Sequence, residues 1–97
     1  MDVRIQPIHF DVATHLVEFI NKKADKLARR FPSITDFDVT LKVVKPETAK
    51  NKEIVLRVIT PQSPELVATK TADTFEEALD LAIEAVERQL EKNKEKK

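Results

Sequence analysis

Ninety-seven residues are enough for one domain with a two-layer core and no more. With 41% hydrophobic and 35% charged residues, the chain has the composition of a globular domain; the lack of cysteine excludes disulfides and thiolate metal sites, and the lack of glycine excludes the phosphate-cradling loops of nucleotide-dependent enzymes. Seventeen cations balance seventeen carboxylates, and a zero net charge taken alone argues against a nucleic-acid partner.

Residues 2–8, DVRIQPI, alternate loosely and predict a short first strand, with Pro7 at its end or on an edge. A helix follows over Thr14 to Phe31. Leu16, Phe19, Ile20, Ala24, Leu27 and Phe31 recur at helical spacing and form its apolar side. Lys22, Lys26 and Arg29 fall on another side, with Lys23 and Arg30 at its border. Asp11 or Thr14 is the expected N-cap, and Pro32 should stop the helix near Phe31.

Residues 37–44, FDVTLKVV, alternate cleanly and predict a half-buried strand. A polar loop spans 45–52. In the strand 53–60, Ile54, Leu56 and Val58 point inward, while Glu53, Val55, Arg57 and Ile59 point outward. A two-proline turn over 61–65 leads to a last strand over 66–72. Thr74 and Glu77 then make a capping box for a second helix. Its apolar stripe is Phe75, Ala78, Leu79, Ala82, Ile83, Val86 and Leu90. Glu76, Glu77, Asp80, Glu84, Glu87 and Glu91 are expected to cover its outer side, and residues 92–97 to fray as a basic tail.

The order β-α-β-β-β-α predicts an α+β domain spanning residues 1–97, a four-stranded sheet with both helices on one face. The first helix is a crossover, so strands one and two should be parallel and the rest antiparallel.

Charge is unevenly spread. Residues 14–31 hold five cations against Glu18 and Asp25, a net of +3; residues 61–91 hold Lys70 and Arg88 against eight carboxylates, a net of −6; residues 92–97 return to +3. A neutral total can therefore hide a basic face. If the two helices lie side by side, the cations of the first helix and those ending the second come near each other, provided the helix directions allow it.

No catalytic constellation is visible. His9 and His15 match no usual metal spacing, and Ser33 and Ser63 lie in proline-flanked turns without a base. The chain reads as a non-enzyme with no cofactor and no metal. No apolar run approaches the ~18 residues of a membrane helix, and the N-terminus lacks a signal-peptide core, so a cytoplasmic location is expected.

The segments INKKADKLARRF (20–31), DTFEEALD (73–80) and VERQLEKNKEKK (86–97), in this order and spacing, resemble the short form of the ribosome hibernation-promoting factors, also called ribosomal subunit interface proteins. That resemblance implies a fold similar to double-stranded-RNA-binding domains. It also implies a translation inhibitor seated on small-subunit rRNA, in the channel between head and body, where it blocks messenger RNA and A- and P-site transfer RNA. The RNA-binding residues implied are Lys22, Lys23, Lys26, Arg29 and Arg30, then Arg88, Lys92 and Lys94. The chain departs from the family pattern at Ala85, where a lysine is frequent, and in the glycine-free turn PQSPE. A monomer is expected, with no DNA or membrane partner. The short form lacks the dimerisation domain of longer relatives, so ribosome pairing through its own tail is not expected.

With no Tyr or Trp to stack on bases, recognition should rest on backbone charge and shape. About six phosphate contacts would cost roughly a thousandfold in affinity between 50 and 200 mM salt, by analogy with duplex DNA. The main rival is a protein–protein module using the exposed sheet face, with Val55 and Ile59, or the acidic second helix. A free duplex-RNA binder and a small hydrolase are further alternatives.

Overall fold

A computed structural model describes residues 1–9, 11–44, 50–61 and 63–95, with the backbone alone at 63–64 and 93–95. The elements are β1 (Asp2–Pro7), α1 (Thr14–Arg30), β2 (Asp36–Val43), β3 (Lys52–Thr60), β4 (Ser63–Ala72) and α2 (Phe75–Glu95). They form one sheet in the order β1-β2-β3-β4, with β1 parallel to β2 and the other pairs antiparallel. This is the predicted architecture.

Register follows from the alternation. Val3, Phe37, Val58 and Leu66 make one row across the sheet, and Ile5, Val39, Leu56 and Ala68 the next. These rows face the helices. Phe37, Val39, Leu41, Ile54, Leu56 and Val58 are fully buried beneath Ile20, Ala24 and Leu27 of α1 and Ala78, Leu79, Ala82 and Val86 of α2. Each large apolar side chain so buried contributes about 1.5–3 kcal/mol, and their slip by one residue would turn the whole set to water. α2 covers β3 and β4, while α1 lies beside it over β1.

Three local expectations change. The N-cap of α1 is Ala13, in extended geometry at φ −68° and ψ 147°, and no side chain caps the helix. Neither Asp11 nor Thr14 does so. β4 begins at Ser63 rather than at 66, and it runs past Pro64. An edge strand tolerates proline because one side of its backbone has no ladder to complete. The register shift between Val58 and Thr60 lets the turn close early. Finally, α2 continues through Glu95 instead of fraying at 92; residues 96–97, like 45–49 of the polar loop and Gln62 of the turn, lie outside the described residues.

The two remaining boundaries follow the chemistry. Phe31 ends α1 just before Pro32, and its N–H bonds Leu27 O at 2.9 Å. The Thr74 hydroxyl accepts the Glu77 N–H at 3.1 Å, satisfying one otherwise free donor of α2.

Candidate nucleic-acid interface

Strand directions make the helices parallel. α1 returns against β1, β2 to β4 alternate, and α2 returns against β4, so both helices point the same way. Their side chains agree. Lys23 Nζ lies 3.1 Å from Asp80 Oδ1, and seven residues further along each helix Arg30 meets Glu87. Arg30 also donates to Glu91 Oε1 at 2.6 Å. The C-terminal ends of the two helices therefore share one end of the molecule.

The basic helix is divided by these pairs. Lys22, Lys26 and Arg29, spaced i, i+4, i+7, are exposed and make no ion pair with a described residue. They form one ridge on the side of α1 away from the sheet, with Lys26 also lining the cleft toward α2. Lys23 and Arg30, the border residues, instead turn toward α2. Each is also braced on its own helix: Lys23 Nζ sits 5.3 Å from the Phe19 ring centre, and the Arg30 guanidinium 5.2 Å from that of Phe31.

On α2 the acids do not simply cover the outer side. Asp80, Glu87 and Glu91 take the flank toward α1. Glu84 also lines the cleft between the helices, a space of about 350 Å³, and it accepts from Arg88 at 2.7 Å. Helix geometry of about 100° per residue places Arg88 and Lys92 roughly 80° and 120° round from Asp80, on the crest of α2. Both are exposed. The two clusters of cations thus share an end of the molecule, yet a row of carboxylates runs between them. For Lys94 only the backbone, in α2, is described.

Sequence reasoning put Lys22, Lys26 and Arg29 on one exposed side of α1 and missed the counter-ions of Lys23 and Arg30. The hint lay in Lys23 and Arg30 sitting at the border of the basic side, where a neighbouring helix can reach them.

The opposite face of the sheet is not a continuous apolar surface. Val55 and Ile59 are half-buried and Val67 is exposed, but Arg57 stands among them. It pairs across the strands with Asp38 at 3.5 Å and Glu65 at 3.6 Å. His9 and His15 are both exposed, and no three metal-ligating side chains gather among the described residues. No described helix is long and apolar enough to cross a membrane.

Comparison with known proteins identifies the family and the fold. The family described as "Sigma 54 modulation protein / S30EA ribosomal protein" matches residues 3–97. The ribosome hibernation promoting factor of Azotobacter vinelandii is 34% identical over 97 residues, covering 99% of this chain and 85% of that protein. The structure of a ribosomal subunit interface protein from Coxiella burnetii superposes with a TM-score of 0.84 at 22% identity, covering 97% of this chain and 98% of that one. The N-terminal domain of Thermus thermophilus Protein Y superposes with a TM-score of 0.77 at 15% identity, covering 95% and 98%. These last two likenesses establish the fold.

Proposed function

The chain belongs to the Sigma 54 modulation protein / S30EA ribosomal protein family, and from that premise we propose that it is a ribosome-associated hibernation factor acting without catalysis. It works in the cytoplasm as a monomer. It binds small-subunit rRNA in the channel between head and body, and there it excludes messenger RNA and A- and P-site transfer RNA.

The observation that carries this reading is the ridge of Lys22, Lys26 and Arg29. Three cations on one exposed helix face, none paired with a described residue, suit a phosphate backbone, which offers regularly spaced charge. The helix is rigidly seated through Ile20, Ala24 and Leu27, so the ridge is held in place before binding. Lys92 adds a fourth exposed cation at the same end of the molecule. Lys23, Arg30 and Arg88 must first leave or share their carboxylates, and so contribute less.

Sedimentation with purified ribosomes across a salt series tests the proposal. About four phosphate contacts correspond to a loss of roughly a hundredfold in affinity between 50 and 200 mM salt, against the thousandfold of six contacts. Co-sedimentation that is lost with the large subunit removed, or that is insensitive to salt, would count against small-subunit rRNA as the target.

A further inference from the structure

Ion pairs cross the cleft between α1 and α2 at two points. Lys23 meets Asp80 nearer the start of the helices, and Arg30 meets Glu87 nearer their end. Seven residues, about 10 Å of helix, separate the two crossings. The cleft they frame holds about 350 Å³, within the range of small-molecule sites. Leu27 and Ile83 give it an apolar floor, at 2% and 8% exposure. Lys26 stands on the α1 wall and Glu84 on the α2 wall, both exposed. Lys26 makes no ion pair with a described residue, and Glu84 pairs with Arg88 on its own helix. The two therefore face each other across the cleft without an ion pair between them.

Arg30 forms one end of this space. Glu87 and Glu91 take up its charge, and its guanidinium sits 5.2 Å from the centre of the Phe31 ring. Two carboxylates and a ring hold the group in place, yet 53% of the side chain stays exposed. Its charge is already matched, so it is a poor phosphate ligand. It is a good stacking surface, because a guanidinium is flat and weakly hydrated.

Resting on the RNA-binding reading above, we propose that the cleft seats one unpaired nucleotide of the bound RNA, with guanine as its preferred base. The base lies over Leu27 and Ile83 and stacks on the open side of Arg30. Unpaired bases stack on guanidinium planes as they do on aromatic rings, and this chain has no Tyr or Trp to offer. Lys26 takes the phosphate, which keeps the nucleotide in line with the ridge of Lys22, Lys26 and Arg29. Glu84 reads the base edge. Guanine presents two neighbouring N–H donors there, and a carboxylate accepts such a pair with its two oxygens. Adenine presents one donor beside an acceptor and matches less well. In a duplex that edge is already paired, so the cleft selects an unpaired residue.

The test titrates the protein with guanosine monophosphate, adenosine monophosphate and inorganic phosphate at equal salt, read by amide chemical shifts. Guanosine monophosphate is expected to shift residues 26–30 and 83–87 together, on both walls. It should bind roughly tenfold more tightly than inorganic phosphate, the gain being the stacked base. Its advantage over adenosine monophosphate is expected to be about threefold, and Glu84→Gln should remove that advantage. Arg30→Lys keeps the charge and loses the plane. It is expected to erase the tenfold gain and to weaken binding to purified small ribosomal subunits by roughly the same factor. Equal affinity for nucleotide and phosphate, or a gain that survives Arg30→Lys, overturns the proposal. Nucleotide binding with unchanged subunit affinity in Arg30→Lys overturns the assignment to RNA. Thermal melting checks the fold. Should Arg30→Lys not fold, Glu84→Gln decides alone through the two nucleotides, because its side chain is 58% exposed and its pair lies within α2. Wild-type protein that ignores small subunits would sink the hibernation reading, while the nucleotide titration would still decide whether the cleft takes a base.

Discussion

Arg30 of α1 and Glu91 of α2 meet at 2.6 Å although 61 residues separate them in the chain. Glu87 shares the same guanidinium. This junction ties the ends of two parallel helices together and removes one cation from the basic surface. It also explains why the exposed ridge is narrower than the count of lysines and arginines in α1.

Reversing the ridge should abolish ribosome binding and spare the fold. Lys26→Glu with Arg29→Glu alters two exposed side chains that make no ion pair with a described residue. Co-sedimentation with ribosomes is expected to fall to background, with far-ultraviolet circular dichroism and melting unchanged. Retained binding by the folded double variant would remove the ridge from the interface.

The inter-helix pairs should matter little to stability. Arg30 and Glu91 are each 53% exposed, so water and salt screen their attraction. Arg30→Ala is expected to cost under roughly 1 kcal/mol in urea unfolding, and less at high salt. A loss well beyond that would mean the junction holds the helices together as well as tuning their charge.

The two helix starts should respond differently to substitution. Thr74→Ala removes the hydroxyl that accepts the Glu77 N–H and is expected to cost about 1 kcal/mol. Ala13→Asp is expected to add about as much, because Ala13 already has extended cap geometry and α1 has no acid in its first turn. Chemical denaturation of the two variants gives opposite signs if the caps are as described.

Among the described residues, two positions hold left-handed backbone without glycine: His9 at φ 63° and Lys50 at φ 56°. An L-residue there costs roughly 1–2 kcal/mol relative to its favoured regions. Lys50→Gly keeps the N–H that donates to Asp73 Oδ1 at 2.8 Å, and is expected to raise stability by up to about 1 kcal/mol. A lower melting temperature would show that the lysine side chain contributes more than its backbone conformation loses.

Much of the fold was legible because its signals are local. The alternation in FDVTLKVV and EIVLRVIT, the stripes of the two helices, Pro32 after Phe31 and the Thr74–Glu77 box each act within a few residues. The cap of α1 was not legible, since Ala13 carries no side-chain signal at all. The early start of β4 was hidden by Pro64, which reads as a breaker until its strand is known to lie on an edge.

By itself the sequence determined which residues are greasy, which are charged, and that Lys22, Lys26 and Arg29 share one side of a helix. Only the tertiary structure decided that α2 runs parallel to α1 and turns Asp80, Glu87 and Glu91 toward it. Helical periodicity assigns a side chain to a face of its own helix, but the choice of neighbour comes from how two buried stripes pack on one sheet. Pairing between charges 57 and 61 residues apart is a consequence of that packing, and no local pattern encodes it.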